Sequence, residues 1–152
     1  MPAEPLAHFL AAGDLLIDRA RAQLPGAFKK IAHSADLAGI QDSLQTTPAL
    51  HIVFRGHELA AQLSDGSASV YRQHWMAVVV TRSAKSAKSG AGAVALAGPL
   101  ADRLLAPGVI TGWTPAAGCG PFTAVSPGVG SAVSDAGCLY VPLEWALVIK
   151  RI

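Results

Sequence analysis

The chain has 152 residues, a length that favours one domain spanning residues 1–152 over two domains. Its residues are 51% hydrophobic and only 14% charged, against a usual charged share of about 25%. So little charge predicts that part of the surface is buried against copies of the chain or other partners. The net charge is +2 and the basic residues are scattered, which argues against sequence-specific binding of nucleic acid.

The N-terminal sequence MPAEPLAHFLAAGD has no basic region, and Gly13–Asp14 interrupts its apolar part. It therefore predicts neither a signal peptide nor a membrane anchor. The apolar run Trp75–Val80 is far shorter than the roughly 20 residues of a membrane span. We expect a cytoplasmic protein without a membrane partner.

The first predicted element is a helix over Pro5–Leu24. Apolar residues recur there at spacings of three and four, and Pro25–Gly26 supplies a stop. The next segment, Ala27–Ile40, predicts a short edge strand and then one helical turn capped by Ser34. Alternating apolar residues after Pro48 predict a strand over Ala49–Arg55.

The most β-favourable stretch is Val70–Arg82, whose middle is apolar on both faces and which therefore predicts a central strand. Only its two ends, residues 72–74 and 81–82, are expected to be wet. The flanking segments, Gly56–Ser69 and Ser83–Gly92, are rich in small and polar residues and predict a long loop and a flexible link. We expect both to be mobile in the isolated subunit and ordered in an assembly.

A second helix is predicted at about Ala93–Leu105, either kinked at Pro99 or beginning there, since an internal proline costs roughly 3 kcal/mol. Short strands are predicted at Val109–Trp113 and Phe122–Ser126, with a connection over Pro127–Gly137. The clearest strand ends the chain, and its predicted core face comprises Leu139, Val141, Leu143, Trp145, Leu147 and Ile149.

Pro142 lies in this last strand but cannot donate a ladder hydrogen bond, which predicts an edge or bulge where another chain could pair. The order of the elements predicts an α+β fold. It consists of a mostly antiparallel sheet with two main helices packed on one face.

No catalytic constellation is evident. Gly90-x-Gly92-x-x-Ala95 resembles a dinucleotide-binding turn, but the segment before it separates the first glycine from the strand. His51 with His57, and His33 with Asp36, do not fix a ligand set, so hydrogen-bonded or solvated histidines are favoured. No Gly-x-Ser-x-Gly elbow occurs. We therefore predict a protein that is not an enzyme and has no catalytic residue, cofactor or metal.

Two remaining features of the sequence bear on partners and redox state. Arg82, Lys85 and Lys88 form a small basic group, which is either a solvated loop or a functional loop that orders against an acidic partner surface or faces a channel carrying DNA. Cys119 and Cys138 lack metal-ligand spacing and are expected to be reduced, partly buried thiols.

Several pieces of the chain, in order, resemble the tail terminator family of Mu-like contractile-tailed phages and prophages. They are a first helix ending in LPG, a strand beginning at PALHIVF, the stretch YRQHWMAVVVTRS, an alanine- and leucine-rich helix ending near GVITGW, and a long final strand. The resemblance extends from about Leu6 to Ile149. It implies a small α+β structural protein that has no chemistry of its own.

The resemblance further implies a hexameric ring that caps the head-proximal end of the tail tube, stops its polymerisation and offers the head-joining surface. Its partners would be other copies, the tail tube protein and head–tail connector proteins. The protein would then occupy the host cytoplasm during assembly and the virion tail afterwards. Within the resemblance, another tail-completion or head–tail joining protein remains an alternative. From the residues alone, a small oligomeric ligand-binding module and a small hydrolase also remain open.

Overall fold

The computed structural model describes residues 4–36, 39–40, 46–83, 91–133 and 137–151. Its elements are, in chain order, α1 (Ala12–Gln23), β1 (Lys30–Ser34), β2 (Ala49–Gln62), β3 (Ser69–Arg82), α2 (Ala91–Leu105), β4 (Thr123–Val125), β5 (Ala132–Val133) and β6 (Cys138–Arg151). Neither of the two described helices is long and apolar enough to cross a membrane.

The strands form one six-stranded sheet in the order β1-β2-β3-β6-β4, and β5 also pairs with β6. Every pairing is antiparallel except β1 with β2, which is parallel. The stretch predicted to be central is β3, which pairs along its whole length with β6 and along most of it with β2. The predicted α+β class and the mostly antiparallel sheet are therefore confirmed.

Both faces of the sheet are buried. One face packs against α1 and α2 and contains Trp75, Ala77 and Val79 of β3. The opposite face buries Met76, Val78 and Val80 together with Ile40 from a helical turn at residues 39–40. Side chains alternate along a strand, so a run that is apolar at every position fits a strand covered on both sides.

The first helix begins at Ala12, later than the predicted Pro5. Residues before it are held elsewhere, because Pro5 forms a bridge with Ala117 and the Ala117 amide donates to the Glu4 carbonyl at 2.8 Å. Gly13 lies against the Trp75 ring, where an added Cβ would come within 2.8 Å of a ring atom. This close approach sets the helix directly on the sheet.

The segment predicted as a loop, Gly56–Ser69, is instead mostly strand. β2 continues to Gln62 and stays paired with β3. The register shifts twice, once at Arg55 and once at Ala60. Gly56 has φ of +120°, a conformation that L side chains rarely adopt, so glycine extends the strand beyond the bulge rather than ending it. The turn that closes the hairpin occupies residues 63–68.

The predicted edge strand is present as β1. Of the helical turn predicted after it, the structure describes only residues 39–40. The predicted cap is wrong. Asp36 caps this turn, since its Oδ1 accepts a hydrogen bond from the Gly39 amide at 2.6 Å. Ser34 Oγ instead bonds His51 Nδ1 at 2.8 Å.

The second helix passes through Pro99 and begins at Ala91, so it starts neither late nor at the proline. Its buried positions are Ala93, Ala97 and Leu104, whereas Val94 is exposed. The Thr81 hydroxyl donates to the Ala93 carbonyl at 2.7 Å. This hydrogen bond ties the first turn of α2 to the end of β3 and so fixes which face of the helix is buried. Most of the predicted link before this helix, residues 84–90, lies outside the described residues.

The predicted core face of β6 is confirmed. Leu139, Trp145, Leu147 and Ile149 are buried in the helix-covered core, and Val141 and Leu143 pack against it. The prediction of a strand at Val109–Trp113 is wrong, because these residues form turns, with one isolated β-bridge from Thr111 to Phe122. The strand predicted at Phe122–Ser126 is present as β4.

Candidate interaction surfaces

Arg82, the first of the three predicted partner-facing residues, ends β3 and is exposed. Its side chain borders a groove of about 430 Å³ between α2 and the beginning of β2. Leu96, Pro99 and Leu100 of α2 form one wall, and Ala27 and Pro48 contribute to the other. The other two predicted residues, Lys85 and Lys88, lie outside the described residues.

A second surface is the far end of β2. β1 pairs with β2 only at Ala49 to Val53, so from Phe54 to Gln62 no described strand covers the outer edge of β2. His57 through Gln62 are all exposed. An open edge of this length presents backbone donors and acceptors to which another strand can add.

The edge of β6 is much less open than Pro142 suggested. β3 occupies one side of β6 along its whole length, so the other pairings share the opposite side. There β5 covers Leu139 and Tyr140, β4 covers residues 144–146, and residues 118–120 bond to 148–150. Among the described residues, the longest stretch of β6 without a backbone partner on that side is residues 141–143, with Pro142 at its centre. The long pairable edge belongs to β2.

A row of ionisable side chains, Arg55, Glu144, His74 and Glu58, crosses the sheet at the base of this open edge. Arg55 Nε lies 3.4 Å from Glu144 Oε1, and His74 lies between Glu144 (3.9 Å) and Glu58 (3.5 Å). Hydrogen bonds from His74 and from Arg72 lower the pKa of the Glu58 carboxyl. The Glu144 side chain is only 9% exposed, so this row connects β2, β3 and β6 across a partly desolvated surface.

The structure separates the histidines that were considered as metal pairs. His33 contacts Asp14 at 2.7 Å rather than Asp36. His57 packs edge-to-face on Phe9, with ring centroids 5.0 Å apart, while His51 is buried six residues away on the same strand. No group of three or more potential metal ligands occurs among the described residues.

The burial of His51 predicts a pH dependence of stability. Burial, and secondarily the charge of Lys30, lowers the pKa of His51 below its ordinary value of 6.5. The unfolded chain therefore binds a proton at this site more readily than the folded chain, so stability falls as the pH drops below about 6.5. We expect the melting temperature of His51→Gln to fall less between pH 7.5 and 5.5 than that of the native chain. His8→Gln, at an exposed site, is the matched control; equal slopes in all three would contradict the assignment.

Two polar residues at the predicted wet ends of β3 are buried. Gln73 is 0% exposed; its Nε2 donates to the Phe9 carbonyl at 2.6 Å, and its Oε1 accepts from Trp75 Nε1 at 3.0 Å. Thr81 is 1% exposed and bonds α2. The N-terminal segment and α2 cover these two positions, a long-range effect for which the strand itself gives no signal.

Cys119 and Cys138 are free thiols, the first half-buried and the second buried, as expected. Burial raises the pKa of the Cys119 thiol. The backbone of Cys119 forms a β-bridge with Ile149 near one end of β6, whereas Cys138 is the first residue of that strand. A strand rises about 3.3 Å per residue, so the two thiols are too far apart for a disulfide.

The apparent dinucleotide-binding pattern does not form such a turn in the described part of the chain. Gly92 lies inside α2 rather than in a loop after a strand, and Gly90 is outside the described residues. A phosphate-binding turn needs its glycines between the strand end and the first helical turn.

The fold defines an α+β protein built on one mixed sheet, with an open strand edge and an apolar groove at its surface. The family model for phage tail terminator protein matches residues 3–151. The chain therefore belongs to the phage tail terminator protein family and is a structural protein of phage tails, which places it in the virion tail among tail-assembly partners. No curated protein matched the chain.

Proposed function

We propose that the chain is a single tail terminator domain that assembles into a ring of six, caps the tail tube, stops its polymerisation and provides the head-joining surface. The family match over residues 3–151 is the observation that carries this proposal. It acts without catalysis, cofactor or metal. It meets the tail tube protein and head–tail connector proteins, with no sequence-specific binding of nucleic acid and no membrane partner, and it is assembled in the host cytoplasm.

Two physical features support a ring subunit. The chain carries few charges for its size, and large apolar side chains such as Leu63 and Leu96 are more than half exposed. An exposed edge and exposed leucines are stabilised when a neighbour covers them. A contact that repeats by a fixed rotation must either close into a ring or continue as a filament. Closure suits a terminator, because a filament would compete with the tube.

The proposal is tested with purified chain and polymerising tail tube protein. We expect excess chain to shorten the tubes. Light scattering of the chain alone at high concentration is expected to give the mass of six copies. Ring formation costs each copy translational and rotational freedom, so dilute samples can be monomeric. Tubes that reach the same length with and without the chain would contradict the proposal.

The predicted basic group supplies a variant for the same assay. Lys85→Glu with Lys88→Glu is expected to weaken capping or head joining without changing the urea midpoint, because reversed charge repels an acidic partner surface. Lys150→Glu, an exposed change near the far end of β6, is the matched control. If the double variant capped tubes as well as the Lys150→Glu control, the prediction would be contradicted and Lys85 and Lys88 would belong to a solvated loop without a partner role.

A further inference from the structure

The most exposed large apolar side chains of the described residues lie in two separate places. Leu59 and Leu63, 54% and 57% exposed, belong to the far end of β2 and the turn that follows it. Val94 and Leu96, 55% and 53% exposed, belong to the first half of α2. Apolar surface left in water at two distinct sites on one chain is the pattern of a head-to-tail interface.

The groove beside α2 has the shape and chemistry to accept a leucine. Its walls are apolar, formed by Leu96, Pro99, Leu100, Ala27 and Pro48, and its volume of about 430 Å³ is ample for a leucine side chain. The charged side chain among its described lining residues is Arg82. The groove is therefore an apolar slot with a positive rim.

The turn after β2 has the complementary chemistry. Leu63 stands at its beginning and Asp65 two residues later, both exposed. The Ser67 amide donates to Asp65 Oδ1 at 2.9 Å, which fixes the turn, and the Leu63 amide donates to the Ala68 carbonyl at 2.9 Å. The turn thus presents a leucine beside a carboxylate on a preformed loop, and preformed loops lose little entropy on docking.

The turn cannot reach the groove of its own chain. β3 begins at Ser69, next to the turn, and ends at Arg82, at the groove. At a rise of about 3.3 Å per residue, the two ends of this strand are roughly 40 Å apart. An occupant of the groove that is derived from this chain must therefore come from another copy.

We infer that the groove beside α2 receives the turn at residues 63–68 of a second copy, with Leu63 between the α2 wall and Pro48 and with Asp65 facing Arg82. This inference rests on the proposed ring. It names the surfaces that make the ring contact. Each copy uses its turn on one neighbour and its groove on the other, so the contact is heterologous and repeats around the ring.

Site-directed cross-linking tests the contact. Ser64→Cys and Ala95→Cys place thiols beside Leu63 and Leu96 at exposed positions, in a Cys119→Ser background. A short bismaleimide is added to assembled protein at high concentration and on tail tubes. The double variant is expected to give a ladder of covalent oligomers, each single variant only monomer, and a mixture of the two single variants nothing larger than a dimer. Ser64→Cys with Asp18→Cys, at an exposed site on α1, is the control and should remain monomeric.

The outcomes separate this inference from the proposed function. Protein that has the mass of a ring and caps tubes, yet gives no cross-link between positions 64 and 95, overturns the inference and leaves the function intact. A cross-linked ladder from a chain that does not cap tubes supports the contact and overturns the function. Protein that remains monomeric at high concentration and on tubes overturns the inference, as does a control pair that cross-links as fully as the test pair.

Discussion

Replacing Trp145 with alanine is expected to lower the free energy of unfolding by about 3–5 kcal/mol, because it opens a large cavity in the core. Trp145 is 1% exposed on β6 and lies opposite Trp75 of β3 in the sheet register. Its indole Nε1 also donates to Thr111 Oγ1 at 2.9 Å, so the substitution leaves that hydroxyl without this partner. The measurement is the urea midpoint of the purified chain.

Trp145→Phe should give a smaller loss, because it keeps most of the apolar volume and removes chiefly the hydrogen bond to Thr111. Lys150→Ala, on the exposed part of the same strand, is the matched control and should leave the midpoint close to that of the native chain. A native midpoint in Trp145→Ala would refute the placement of this side chain in the core.

Replacing Gln73 with alanine is expected to lower the free energy of unfolding by about 2–4 kcal/mol, because it leaves both hydrogen-bonding partners of the Gln73 amide unsatisfied. The buried indole N–H of Trp75 and the carbonyl of Phe9 would each lose a hydrogen bond. Gln73→Leu fills the same space without the bonds, so it separates the loss of hydrogen bonding from the loss of volume.

Gln62→Ala is the control for this position, since Gln62 belongs to the neighbouring strand but is exposed. We expect Gln73→Leu to lose most of what Gln73→Ala loses, and Trp75→Phe to make the change at Gln73 less costly by removing one unsatisfied donor. If Gln73→Leu were as stable as the native chain, hydrogen bonding would not explain the burial of this glutamine.

The strands at the centre of the sheet could be predicted from their own residues. β3 is apolar at every position from 75 to 80 and β6 alternates cleanly, and both patterns are local. The placement of two helices on one face was predicted from the order of the elements along the chain. The membership of the family followed from the order of short motifs along nearly the whole chain.

The features that could not be predicted depend on pairing across the fold. The far half of β2 has a weak strand composition, and it is a strand because β3 provides a partner through residues Ser69 to His74. Gln73 is buried because the N-terminal segment lies over it. The parallel pairing of β1 likewise has no signature in five residues.

The candidate surfaces divide in the same way. Arg82 was identified from the charges near the end of a strand, but the groove beside it combines Ala27, Pro48 and Leu96, which are far apart in the sequence. Pro142 pairs with β3 on one side and correctly indicated a gap in pairing on the other side of β6, yet the long open edge belongs to β2. A local pattern can mark a residue type, whereas a surface is built by the topology.

The length of tails made by a prophage deleted for this chain tests the account most directly. We expect tails of uncontrolled length, or tails that never join heads, because an uncapped tube keeps growing and lacks a head-joining surface. The native chain supplied from a plasmid should restore uniform tails and infectivity. Tails of normal length with full infectivity in the deletion would contradict the assignment as a tail terminator.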